Sequence, residues 1–219
     1  AVIKSVPVGG PYNIELCIRS GSGCDEFAAV KNVLVGDVWL LGGQSNMEGY
    51  GILAFRDRPN RYVRAFYMND VWDTAHHPVH NIYKAADQIH HNLLGINPSK
   101  RNPKRAVGPG LYFGMAMYEE TGVPQGVIAC AHGGTSMEQW NPSGRRVGGK
   151  SLYGAMLRRV QKNGGRVAGL VWYQGCSDAC CEFHSQYTHR MVRFVKSLRK
   201  DLKTPELPIV MAQISRTCG

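Results

Sequence analysis

No run of apolar residues approaches the roughly 18 that a membrane-spanning helix needs, so no membrane partner is expected. The opening Ala1-Val2-Ile3-Lys4 has neither an initiator Met nor a basic-then-apolar leader. The sequence therefore reads as a mature form or a piece of a longer protein. There is no internal repeat and no low-complexity block. Acidic residues are scarce: 16 Asp and Glu stand against 26 Lys and Arg, for a formal net charge of +10. That balance suits nucleic acid or an acidic sugar. Yet no compact basic run of five occurs, and the densest stretch, Ser99-Lys100-Arg101-Asn102-Pro103-Lys104-Arg105, is broken by proline and reads as a solvated loop. No nucleic-acid partner is expected.

Metal and cofactor signatures are also missing. Cys176, Cys180 and Cys181 lack the C-x₂-C pair and second half of a zinc site. His76-His77 and His90-His91 are neighbours in sequence, which do not face one ligand on a helix or strand. Gly108-Pro109-Gly110-Leu111-Tyr112-Phe113-Gly114 misses the dinucleotide-binding spacing by one residue. Neither a metal nor a cofactor is expected. The seven cysteines are an odd number, leaving at least one thiol unpaired within the chain. Cys17 and Cys24 bracket a turn-rich stretch where a hairpin disulfide fits. A loop disulfide joining Cys176 to Cys180 or Cys181 is expected, and cysteine usage leans to an extracytoplasmic location.

What is present is an α/β pattern. With 219 residues, 43% apolar and 19% charged, the chain can bury one core without staples. Residues 1–30 read as the tail of a β segment, with strand-like alternation at Tyr12, Ile14, Leu16 and Ile18. Residues 31–219 read as one domain. Four near-continuous apolar runs, 33–41, 127–131, 167–173 and 207–212, suit strands buried on both faces. Helical spacing links Leu111, Met115 and Tyr118; Leu152, Met156 and Val160; and Tyr187, Met191, Phe194, Leu198 and Leu202. The alternation predicts a parallel sheet with helices on both faces. Residues 51–106 show no period and predict an irregular excursion with one short helix.

Ligands of such sheets bind outside the carboxyl ends of the strands. The segments that follow the four runs are Gly42-Gly43-Gln44-Ser45-Asn46-Met47, His132-Gly133-Gly134-Thr135, Gln174-Gly175-Cys176-Ser177-Asp178 and Gln213-Ile214-Ser215-Arg216. Ser45, after two glycines at a strand-to-helix turn, is the candidate nucleophile; a helix N-capping serine would look the same locally. Gly133 and Gly134 can expose backbone N–H groups to an oxyanion, or form an ordinary tight turn. Gln174 offers a side-chain amide to the same oxyanion, or caps the strand end. His132 is the histidine directly at a strand end near this edge, where a structural hydrogen bond is the plainer role.

Gly36-Asp37-Val38-Trp39 running into Gly43-Gln44-Ser45-Asn46-Met47 resembles the nucleophile block of the sialate O-acetylesterase family, a branch of the SGNH hydrolases related to acetylxylan esterases of carbohydrate esterase family 6. Three further blocks resemble it in order: Val123–Ile128 leading to Gly133-Gly134-Thr135-Ser136 and Trp140; Trp172-Tyr173-Gln174-Gly175 with Ser177-Asp178; and Leu207–Val210 before Gln213. Gly9-Gly10-Pro11-Tyr12 resembles the β segment ahead of the hydrolase domain. The resemblance implies a three-layer α/β/α flavodoxin-like fold and metal-free hydrolysis of acetyl esters on sialic acid or an acetylated polysaccharide. Ser45 would attack, with the Ser45 N–H, a glycine of Gly133-Gly134 and Gln174 stabilising the oxyanion. Gln44, Asn46, Thr135 and Trp140 would contact substrate. Two departures stand out. Cys176 occupies a position where the family usually has Glu, with Asp178 nearby; Gly133, Asp178 and His132 are the second choices for the site. The family's Asp-x-x-His block after the fourth strand has no counterpart before Gly219, which reads as truncation at the C-terminus. A non-catalytic carbohydrate-binding relative is the alternative reading.

Overall fold

A computed structural model describes residues 3–18, 21, 23, 26–53, 58–93, 105–179 and 182–215. The chain opens with an antiparallel hairpin of β1 (Gly9–Ile18) and β2 (Glu26–Val35). Cys17 is disulfide-bonded; Cys24 lies outside the described residues. The apolar run expected as one strand over 33–41 breaks at Gly36. Val33–Val35 complete the hairpin, and Asp37–Gly43 form β3. A side chain at Gly36 would run into the Pro124 carbonyl, and Asp37 N–H donates to that same carbonyl at 3.0 Å. The chain thus leaves the hairpin and enters the sheet within one residue.

Next come α1 (Ser45–Glu48), β4 (Gly51–Ile52), β5 (Val63–Phe66), β6 (Trp72–Thr74), α2 (Gln88–Asn92) and β7 (Arg105–Val107), which pairs with β4. They are followed by α3 (Pro109–Thr121), β8 (Gln125–Ala129), α4 (Leu152–Lys162), β9 (Gly169–Tyr173), α5 (Cys176–Ala179), α6 (Tyr187–Asp201) and β10 (Ile209–Met211). The excursion over 51–106 therefore holds more than one short helix. Val63-Arg64-Ala65-Phe66 is an inner strand of the main sheet, paired parallel to β8 and antiparallel to β6. Its four residues are too few for a periodic signal, and Arg64 interrupts them. The Arg64 guanidinium is used across the ladder, donating to Thr74 Oγ1 at 2.6 Å.

Among the described residues the main sheet runs β10-β9-β3-β8-β5-β6, with β6 alone antiparallel. The parallel sheet and its layers are as the pattern implies. Within them, β8 rather than β5 lies directly beside β3. Alternation along each strand fills two layers. Leu40, Ile128, Leu170 and Trp172 face α4 and α6 through Met156, Val160, Phe194 and Leu198. Trp39, Leu41, Val127, Ala129 and Val171 face α3 and the 75–85 segment.

One charged group lies inside this packing. Arg159 of α4 is fully buried and stacks its guanidinium 4.7 Å from the Phe66 ring centroid. It donates to the carbonyls of Phe66 (2.9 Å), Tyr67 (2.6 Å) and Met68 (3.3 Å), and to Asp70 (2.7 Å). It thereby satisfies three successive carbonyls at and beyond the carboxyl end of β5. Arg158 bridges Asp70 at 2.7 Å and Asp87 at 2.6 Å. Burial alone would raise the Asp70 pKa, but Arg158, Lys162 and Arg159 outweigh it and hold the carboxyl below its ordinary value. Arg159→Leu should lower unfolding free energy by about 3–5 kcal/mol, because it leaves three carbonyls without their donor and takes from Asp70 one of its three cationic partners. Lys162→Ala, at the exposed side of the cluster, should change it by under about 1 kcal/mol. Urea unfolding of both variants checks this contrast.

Candidate active site

The chain leaves β3 toward β5 and β8 on one side of the sheet, then crosses to β9 and β10 on the other. β3 is therefore the point where strand order reverses, and in sheets of this kind ligands bind beyond the carboxyl end of such a strand. The loops after β3, β8 and β9 meet there: Gly133 lies against Ser45 and Glu48, and Gln44 bonds Gly175 and Ser177.

Ser45 is the first residue of α1, not its N-cap. Gln44 holds the cap position and makes no side-chain capping bond. The Ser45 hydroxyl is half-buried and has no hydrogen-bond partner among the described residues. Gly133 lies against it: a side chain there would sit 3.7 Å from Ser45 Cα and 2.9 Å from Glu48 Oε2. The Gly133 N–H donates to that Glu48 oxygen at 2.6 Å, so this donor is taken. Gly134 is exposed and has φ of 71°, and its N–H has no acceptor among the described residues. Of the two glycines, only Gly134 presents an available donor.

The other residues hold the loops together. Gln44 Oε1 accepts from Gly175 N–H at 3.1 Å and Ser177 N–H at 3.2 Å, and its amide donates to Ser177 Oγ at 3.2 Å. Gln174 donates both amide hydrogens, to the Thr135 carbonyl at 3.0 Å and Asp178 at 2.6 Å. A role for Gln174 as oxyanion donor thus requires one of these bonds to open. Asp178 is wholly buried and accepts from Met137 N–H at 3.0 Å.

The expected substrate contacts are mostly interior. Trp140 is fully buried, packs edge-on against Trp172 at 5.1 Å, and donates its indole N–H to Thr135 Oγ1 at 3.0 Å. Thr135 and Gln44 are buried as well. Of the four, Asn46 alone has a partly exposed side chain. Indole and threonine here satisfy each other, so neither faces a sugar.

His132 is also interior. Its Nδ1 lies 2.9 Å from His90 Nδ1 and the rings stack at 5.2 Å. Burial lowers its pKa to about 4. Burial also pulls His90 well below the usual histidine range, assisted by His132, Arg159, His80 and His91. The expected Cys176 disulfide is absent: Cys176 is a free, partly exposed thiol, while Cys180 and Cys181 lie outside the described residues. Glu48 and His90 are contributors that the sequence reading missed. Glu48 had a signal, lying one helical turn after Ser45; His90 meets its partner 42 residues away and had none.

Beside Gln174 and Asp178 a cavity of about 470 Å³ is lined by Ala179, His184, Tyr187, Met211 and Ile214. The Tyr187 hydroxyl donates to the Gln174 carbonyl at 3.1 Å, fixing the start of α6 at this edge. No group of three metal-ligating side chains is found among the described residues.

Residues 35–219 match the sequence model of the family described as carbohydrate esterase, sialic acid-specific acetylesterase. The chain belongs to this family. It is 30% identical over 205 residues to a probable carbohydrate esterase of Arabidopsis thaliana, covering 83% of this chain and 70% of that protein. It is 27% identical to the sialate O-acetylesterase of Homo sapiens, covering 81% of this chain and 38% of that protein. Among solved structures, an Arabidopsis thaliana protein superposes with a TM-score of 0.61 at 28% identity, over 81% of this chain and 73% of that one. A carbohydrate acetylesterase from Xanthomonas citri gives 0.64 at 23% identity, over 95% and 47%, a likeness of fold.

Two measurements test the site's interior. Iodoacetamide without reductant should label Cys176 in the native protein. Cys130, 2% exposed and with its thiol pushed up to about 11 by burial, should stay unlabelled until unfolding. Mass spectrometry of the digest reads both. The histidine pair makes stability pH-dependent. Both imidazoles bind protons more weakly folded than unfolded, so stability falls as pH drops below the ordinary histidine value. For His132 the loss runs from pH 6.5 to about 4 and totals on the order of 3 kcal/mol. In urea titrations across this window, His132→Asn should flatten the slope.

Proposed function

We propose that this chain hydrolyses acetyl esters on carbohydrate hydroxyls, with Ser45 as nucleophile. The observation that carries this reading is the available Ser45 hydroxyl beside Gly133 and Gly134, at the strand-order reversal. In the reaction Ser45 Oγ forms a bond to the acetyl carbonyl carbon, and the proton it loses is the one delivered to the departing sugar oxygen. The tetrahedral oxyanion takes hydrogen bonds from Gly134 N–H and Ser45 N–H. Its collapse expels the sugar oxygen, which leaves as a protonated hydroxyl. Water then attacks the acetyl-serine, releasing acetate and restoring the hydroxyl. Asn46, partly exposed on α1, is the candidate substrate contact. The disulfide at Cys17 supports an extracytoplasmic location.

The Ser45 proton needs an acceptor. No imidazole hydrogen-bonds to Ser45 among the described residues, and His132 is tied to His90 with too low a pKa to hold a proton well. The unbonded Ser45 also favours a second reading, a carbohydrate-binding relative without catalysis. A hydroxyl without a base is a weak nucleophile. The 219-residue chain should therefore hydrolyse 4-nitrophenyl acetate slowly, and Ser45→Ala should reduce the rate to that of buffer. An unchanged rate in Ser45→Ala overturns the nucleophile assignment. Binding of sugar with no Ser45-dependent hydrolysis of any acetyl ester favours the second reading.

A further inference from the structure

The positive charge of the chain is not spread evenly. Along α6 the exposed side chains His189, Arg193, Lys196 and Lys200 fall at intervals of four, three and four residues. At 3.6 residues per turn they share one solvent face over about 16 Å, and no acidic residue interrupts them. The amino end of this stripe opens into a cavity of about 430 Å³ between α6 and the 137–142 segment. His189, Arg190 and Arg193 line one wall; Asn141, Ser185 and Gln186 add neutral hydrogen-bonding groups. Glu138 is the one carboxylate of the lining, 3.5 Å from Arg190 and largely exposed.

The groove adjoins the candidate active site by two connections. Tyr187 hydrogen-bonds the Gln174 carbonyl, so α6 begins at the carboxyl edge of the sheet. Met137, in the groove wall, donates its N–H to Asp178 of α5, the helix that follows Gln174. We infer that this groove and the α6 stripe bind the carboxylates of an acidic saccharide chain whose acetyl group is presented to Ser45. The inference rests on the esterase reading for the second half of that statement only. An acidic saccharide fits better than nucleic acid, because the lining has amide and hydroxyl groups suited to sugar hydroxyls and no Phe, Tyr or Trp ring as a platform for successive bases. A neutral polysaccharide would leave the stripe unmatched.

The test is titration calorimetry of the 219-residue chain with a non-acetylated oligogalacturonate, a neutral xylo-oligosaccharide of equal length and a duplex DNA, each at low and at physiological salt. The oligogalacturonate should bind most tightly, weakening as salt rises. Arg193→Glu with Lys196→Glu should weaken it roughly tenfold, whereas Arg166→Glu, an exposed charge elsewhere, should leave it near the unmodified value. Equal binding of the neutral oligosaccharide, tighter binding of DNA, or equal loss in Arg166→Glu overturns the proposal. Thermal unfolding confirms that each variant is folded when titrated. Ser45→Ala should bind the oligogalacturonate as the unmodified chain does. Binding without Ser45-dependent hydrolysis leaves the saccharide site standing and removes the esterase reading. Hydrolysis without preferential oligogalacturonate binding does the reverse.

Discussion

The carboxyl edge of the sheet depends on buried side chains that satisfy backbone groups the strands cannot. Three irregular loops meet there, and irregular backbone in an interior strands its N–H and C=O groups unless a side chain reaches them. Gln44 takes the N–H groups of Gly175 and Ser177, Asp178 takes that of Met137, Glu48 takes that of Gly133, and Gln174 supplies the Thr135 carbonyl. Each bond joins a loop after one strand to a loop after another. The loops therefore stand as one body around Ser45, and a partner lost in that interior costs more than the net gain of the bond.

A second set of buried polar groups sets the flank of this body. Arg158 holds Asp87, three residues ahead of His90, and Arg159 holds the turn after β5. His90 then reaches across to His132, which immediately precedes Gly133. The path from α4 to the glycine loop thus passes through charge at one end and two neutral imidazoles at the other. The chemistry differs because the surroundings differ. Arg158 and Asp70 keep some access to solvent and pair as ions, whereas His90 and His132 are each about 1% exposed and do better uncharged.

The sequence made the long elements legible. α3, α4 and α6 follow their apolar periods closely, and three of the four long apolar runs contain sheet strands within their limits or nearly so. The fourth, 33–41, misled because both the hairpin and β3 are apolar, and periodicity cannot see that Gly36 turns the chain. β5 was hidden by its shortness. The site was legible as a set of loop segments, since position after a strand is a sequence property. The direction of each side chain was not. Trp140 and Thr135 follow the glycine pair as surface contacts would, yet each finds its partner in the other and turns inward. Gln174 shows the same limit, because its donors are claimed by groups that come from elsewhere in the chain.

Cys176 stands at this same edge, as a free and partly exposed thiol. The resemblance places a glutamate at this position, which raises the question of why the edge tolerates its absence. The hydrogen bonds that unite the loops pass through Gln44, Gln174 and Asp178, and the Cys176 side chain is in none of them. Asp178, by contrast, spends its carboxylate on Met137 N–H and the Gln174 amide, so it serves the architecture of the edge. A carboxylate at 176 would add charge to the rim of this edge without replacing any of these ties. Its exchange for a thiol therefore removes a rim charge while the scaffold around Ser45 keeps its support. The fold and the chemistry of this edge are carried by different residues, and a change at one need not disturb the other.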